Sequence, residues 1–164
     1  MWEKILSKKF DETDIKIISS LNKDGRATDQ KIANDIGISK TAVRTRRLKL
    51  QRSGAIRIIA LLVLQNMDLA YADVVLKLEP RTTKEHVMNF IQQCSNDEYI
   101  YEISEYIGDN DLLLRFFDED LLNLKEHITS LMDGNKIISS YTIYPVARSY
   151  KAWENVLNFK ENRT

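Results

Sequence analysis

At Gly54 the hydrophobic period of the chain changes. Upstream, apolar residues recur every three or four positions; just downstream, in "IRIIALLVLQ" and "YADVVLKLE", they run together and then alternate. The first spacing specifies helices with one buried face, the second specifies strands. A chain of 164 residues that switches period in this way is expected to hold two small domains in tandem, an α+β fold.

The upstream part predicts helices. In "FDETDIKIISSLNKDG", Ile17, Ile18 and Leu21 share a face, with Phe10 and Ile15 nearby; Asp11 is placed to cap the start and Gly25 to stop the helix. In "TDQKIANDIG", Thr28 is the cap, Ile32, Ala33 and Ile36 form the apolar face, and Gly37 breaks it. Ser39 caps a third helix that runs until Gly54. Only "GIS" separates the second and third helices, and two short helices joined by a tight Gly-containing turn make a helix-turn-helix. The expected boundaries are residues 1–55 for a helix-turn-helix (winged-helix-like) domain, 56–68 for a linker strand carrying "IRIIALLVLQ", 69–150 for a sheet domain and 151–164 for a C-terminal tail.

Downstream, "YADVVLKLE" alternates Ala72, Val74, Leu76 and Leu78 with Asp73, Val75, Lys77 and Glu79, and Pro80 ends the strand. Thr82 and Glu85 read as a capping box before a helix whose stripe is Val87, Phe90, Ile91 and Cys94. "YIYEISEYIG" and "LLLRFF" predict strands around the turn "GDND". Leu121, Leu124, Ile128 and Leu131 mark a second helix closing near Gly134, and "KIISSYTIYPV" is a last strand. The order β-α-β-β-α-β is a ferredoxin-like split βαβ. On the last strand Ile138, Tyr144 and Val146 point opposite to Ile137, Tyr141 and Ile143. Both sheet faces are therefore partly apolar, which suggests that a second copy covers the face without helices.

Charge separates the same two parts. The chain has 24 basic and 24 acidic residues, but residues 1–56 hold 13 Lys+Arg against 7 Asp+Glu, and residues 57–164 hold 11 against 17. A basic helical half in a neutral chain points to a polyanionic partner. Ser39 to Ser53 alone carries six basic residues and no acid. A helix-turn-helix lays its second helix in the major groove of double-stranded DNA, with N-terminal residues meeting base edges. Val43 and Leu50 should face the core, leaving Ser39, Lys40, Thr41, Arg44 and Thr45 at the DNA-facing start. Arg44 can fork onto guanine, and Thr41 and Thr45 offer a hydroxyl and a methyl. Lys49 and Arg52 lie further along, placed for phosphates. Arg47 continues the Val43–Leu50 stripe. Its stem can pack while the guanidinium snorkels out, or it can pair with Asp14 or another acid of the first helix; it is expected to be a phosphate or structural residue.

Other classes find little support. Cys94, the one cysteine, allows no intrachain disulfide and lies on an apolar stripe, so it is expected in the core of a protein of the reducing cytoplasm. The longest apolar run, Ile56 to Leu64, contains Arg57 and is too short to span a bilayer, and the N-terminus has no secretory-signal pattern. His86 and His127 lie on different predicted helices without metal-spaced partners, and no Gly-rich phosphate loop or nucleophile elbow is present. No metal, cofactor or catalytic set is expected, which argues against an enzyme or its regulatory subunit.

In order and spacing, "FDETDIKIISSL", "DGRAT", "KIANDIGIS" and "SKTAVRTRRLKLQRSGAI" resemble the Lrp/AsnC (leucine-responsive, "feast/famine") transcription regulators, with Ser39, Val43, Arg46, Leu50, Gly54 and Ile56 in register. "GDNDLLL" is similar to the family's Gly-Asp-x-Asp turn. The resemblance covers roughly residues 10–150. One departure is Arg47, where the family usually has Ile or Val. The resemblance implies homodimers through the sheet domain, often assembled to octamers, and an amino-acid effector pocket between dimers at the "GDND" turn. By itself that turn reads as a hairpin turn. It is chemically suited to the ligand: amides near Gly108 can hold a carboxylate and Asp109 or Asp111 an ammonium, with hydroxyls from Ser139, Ser140 and Thr142. The function expected is a sequence-specific DNA-binding regulator responsive to an amino acid. The alternative is an architectural protein that binds DNA with little sequence preference.

Overall fold

A computed structural model describes residues 2–152 and 155–156. The helices are α1 (Trp2–Leu6), α2 (Glu12–Lys23), α3 (Asp29–Ile36) and α4 (Lys40–Arg52). Then come β1 (Ala70–Leu78), α5 (Lys84–Ser95), β2 (Ile100–Glu105), β3 (Leu112–Asp118), α6 (Leu121–Met132) and β4 (Ile138–Pro145), followed by the short antiparallel pair β5 (Lys151–Ala152) and β6 (Asn155–Val156). The chain divides into two compact units: residues up to 62 with β5 and β6, and residues 63–150. Apart from β5 and β6, the expected tail 151–164 lies outside the described residues.

The helical unit closes on the apolar faces that the 3.6-residue spacing marks. Ile17, Leu21, Ile32, Ala33, Val43 and Leu50 form its buried cluster, with Phe10, Ile18, Ile36 and Ile56 packed around it. The expected caps are in place. Asp11, Thr28 and Ser39 each accept a backbone N–H three residues on, and Gly37 ends α3 at φ 76°.

The sheet unit is a four-stranded antiparallel sheet in the order β2-β3-β1-β4. Strand β3 lies between β1 and β2, which gives the split βαβ arrangement. Ala72, Val74 and Leu76 of β1 and Leu112, Leu114 and Phe116 of β3 meet Phe90, Cys94, Leu124, Ile128 and Met132 of the two helices. Burial pushes the Cys94 thiol up to about 12, with the nearby Asp97 charge adding to the effect, so the thiol is inert core. On the opposite face Arg115 joins three strands: its Nε is 3.1 Å from Asp73 Oδ1 and its Nη1 2.8 Å from Glu102 Oε2.

Three local expectations are corrected. The linker forms no strand: among the described residues none from 56 to 68 enters a ladder, and the only regular element there is a single 3-10 turn, Leu64–Asn66. Apolar β-branched composition favours extended chain, but a strand also needs a partner for its N–H and C=O groups. Helix α5 is capped by Thr83, which accepts from His86 N–H, not by Thr82. Lastly, a register shift opposite Lys77/Leu78 pairs Lys77 with Ser140 and Leu78 with Ile138. The bulge turns Ile138 to the helix-covered side with Tyr141 and Ile143, so strict alternation fails there.

Candidate DNA interface and effector turn

Helix α4 starts from a tight turn. Gly37 N–H donates to Ala33 O at 2.9 Å, and Ser39 Oγ then accepts Ala42 N–H at 3.1 Å. Glycine tolerates the left-handed conformation that reverses the chain within this connection. Val43 and Leu50 are 0% and 3% exposed, which fixes the roll of α4. With that roll, Ser39, Lys40, Thr41, Arg44, Thr45, Lys49 and Arg52 are all exposed. The structure brings these sequence-predicted residues onto the outward side of one helix, with the base-reading candidates at its N-terminal end.

Arg46 and Arg47 behave differently from their exposed neighbours. Arg46 Nη1 reaches Asp11 Oδ2 at 2.6 Å and Asp14 Oδ1 at 2.8 Å, tying α4 to the start of α2. The Asp11 carboxyl is held below its ordinary range, first by the Asp14 N–H bond and then by Arg46. Arg47 grips Asp29 with two bonds, Nε–Oδ1 at 2.7 Å and Nη2–Oδ2 at 3.0 Å, with Nη1 3.4 Å from Gln51 Oε1. Its partner is therefore the first residue of α3; Asp14, one of the partners considered from sequence, is engaged by Arg46. The Asp29 carboxyl is lowered, chiefly by the Arg47 hydrogen bonds, against an opposing effect of burial. Sequence reasoning missed Asp29. Its signal was an acid in the first turn of the helix preceding a stripe-breaking arginine.

The turn between β2 and β3 is committed to the fold at one end. Asp111 Oδ2 accepts Leu78 N–H at 2.7 Å, Asp111 N–H donates to Leu76 O at 2.9 Å, and Asp111 O accepts Tyr106 N–H at 2.8 Å. One Asp111 side-chain oxygen thus anchors the hairpin to the end of β1. Gly108 sits at φ 148°, outside the range other residues favour, and Asp109 is exposed. Ser140 lies opposite Lys77 and Thr142 opposite Val75, with Ser139 at the bulge. The turn and the start of β4 therefore share one end of the sheet, with β1 between them, roughly 10 Å apart by strand spacing. His127 meets Asp97 at 2.9 Å and stacks near Tyr99, ring centres 4.6 Å apart, linking α6 to the α5–β2 loop. Among the described residues no cluster of His, Cys, Asp or Glu could hold a metal ion, and no helix is long and apolar enough to cross a membrane.

Comparison with known proteins agrees with this architecture. Residues 10–51 match the AsnC-type helix-turn-helix domain. An HTH-type transcriptional regulator of Pyrococcus horikoshii, PH1055, is 36% identical over 147 residues, covering 90% of this chain and 92% of the relative. Among solved structures, an AsnC family transcriptional regulator from Agrobacterium tumefaciens superposes with a TM-score of 0.76 at 21% identity, covering 90% of this chain and 97% of the other. A regulator from Neisseria meningitidis, solved as a complex with L-Met, gives 0.74 at 21% identity over 91% and 97% of the two chains. A basic helix-turn-helix joined to a βαββαβ sheet, matched by a regulator along almost its full length, places the chain in the Lrp/AsnC family of transcriptional regulators.

Proposed function

We infer that α4 is the recognition helix of a sequence-specific DNA-binding regulator, with Arg44, Thr41 and Thr45 meeting base edges and Lys40, Lys49 and Arg52 meeting phosphates. One observation carries this reading: on the outward side of α4 the basic residues are exposed and no acid interrupts them, whereas the inward-facing Arg46 and Arg47 are matched by acids. Exposed arginine and threonine at a helix start are the side chains that discriminate bases, and the more distant cations supply affinity. Competition between a selected site and random duplex at fixed salt tests it. Preference of three orders of magnitude or so fits a specific regulator; equal competition fits an architectural protein.

The sheet unit acts as the dimerisation and sensing domain in this reading. Tyr101 and Tyr144, 46% and 55% exposed, and the partly buried Phe117 and Val75 give the helix-free face an apolar surface that a second copy would cover. The effector is a free amino acid at the 106–111 turn, supported by the exposed Asp109 and by the L-Met complex of the Neisseria regulator. Assembly beyond the dimer, to octamers, would bring such turns from different dimers together. Calorimetry against the common amino acids tests the effector, and sedimentation tests the assembly.

A further inference from the structure

Arg47 occupies a position that the rest of its stripe reserves for apolar side chains. Val43, four residues before it, is 0% exposed, and Leu50, three residues after it, is 3% exposed. Its guanidinium instead meets Asp29, and the two side chains are only 25% and 12% exposed. Asp29 opens α3, and the positive charges of Lys40 and Arg44, candidates for DNA contact, also act on its carboxylate. An acid therefore stands beside the very cations that the recognition helix offers to DNA. Left uncancelled, it would repel phosphate and recruit Lys40 or Arg44, both long and exposed.

We propose that Arg47 is a positioning residue whose forked pairing with Asp29 cancels this acid, so that Lys40 and Arg44 stay available to DNA while Arg47 itself meets no phosphate. The inference rests on α4 being the recognition helix. The two-bond geometry explains why arginine fits: a lysine keeps the charge but offers a single point of attachment, so it would hold the helix pair less firmly. The neighbourhood would also accept an aliphatic residue, because Leu21, Ala27 and Ile58 line the same concavity. Arg47→Ile is therefore expected to fold.

The test is a fluorescence-anisotropy titration of the full chain on a random-sequence duplex at several salt concentrations. It compares the wild type, R47I, the double variant R47I/D29A, and R52A as a phosphate-contact reference. R47I, with Asp29 bare, is expected to bind about tenfold more weakly or worse. Removing the acid as well should restore binding to within about threefold of the wild type. The slope of log affinity against log salt should stay at the wild-type value in R47I/D29A, and become shallower in R52A by about 0.9 per protomer, or about 1.8 for a dimer that sets both α4 helices on DNA. Wild-type binding by R47I overturns the proposal, as does an R47I/D29A that is no tighter than R47I. A double variant whose slope is as shallow as that of R52A also overturns it, because Arg47 is then a phosphate contact. Should R47I lose its helical circular-dichroism signal, the double variant against the wild type still decides by affinity and slope. A wild type that fails to bind duplex at any salt sinks the recognition-helix reading itself, and this inference with it.

Discussion

Helix α4, which follows Gly37, and the turn at residues 106–111, which contains Gly108, both carry charged residues, but they use those charges differently. On α4 the structural work falls to Arg46 and Arg47, which pair with Asp11, Asp14 and Asp29. Lys40, Arg44, Lys49 and Arg52 remain exposed. In the turn, Asp111 does structural work by accepting Leu78 N–H, while Asp109 is exposed. A charged residue in a motif is not thereby a binding residue; what matters is whether the fold has already engaged it.

The largest effect that separates the two regions is on Asp111. Asp111→Ala leaves the partly buried Leu78 N–H without its acceptor, and should cost about 1–3 kcal/mol of stability in the sheet unit. Chemical denaturation read by near-ultraviolet signals of the sheet-unit tyrosines measures it. No change would mean that the turn is not anchored by this bond. A lost ligand response in that variant would consequently not identify a ligand contact, and the sharper probe is Asp109.

Acid should act next, and on the helical unit. The Asp11 and Asp29 carboxyls lie below their ordinary value of 3.8 in the folded chain. Their pairings contribute stability that is fully present above that value and lost as pH falls through the lower folded values. Helical thermal midpoints should hold steady from neutral pH and then drop below about pH 4. In R47I/D29A the drop should be smaller, since one of the carboxyls held low is gone. A midpoint that falls as steeply in the double variant assigns the acid response elsewhere.

Smaller still is Arg52→Ala, which should weaken all sequences alike and remove about one phosphate per protomer from the salt slope. Asp109→Ala should change stability by no more than about 0.5 kcal/mol, while abolishing any amino-acid response that calorimetry detects in the wild type. An unchanged response would move the ligand away from Asp109.

The contrast also explains which features are legible in the sequence. The period of Ile17, Leu21, Ile32, Val43 and Leu50 is a local property, so the helices, their caps and the exposed side of α4 follow from it. The ferredoxin-like order follows in the same way from alternation in β1 and spacing in α5 and α6. Partners distant in sequence do not follow. Arg47 chooses Asp29, eighteen residues earlier, and Asp111 chooses Leu78, thirty-three earlier, because the tertiary fold brings them together. Ile138 is misassigned by alternation because one bulge reverses the face, and residues 56–68 are strand-like in composition without a ladder partner among the described residues.

Selection from a random duplex library, carried out in parallel with the wild type and Arg44→Ala, reads out the base-reading role of α4. The wild type should select an imperfect palindrome with half-sites about one helical turn, ~34 Å, or a multiple of it apart, because a dimer presents two recognition helices. Arg44→Ala should bind that site about 1–3 kcal/mol more weakly and lose its base preference at one position in each half-site. An unchanged motif from Arg44→Ala would mean that Arg44 reads no base, and an asymmetric single half-site from the wild type would mean that α4 does not act as a symmetric pair.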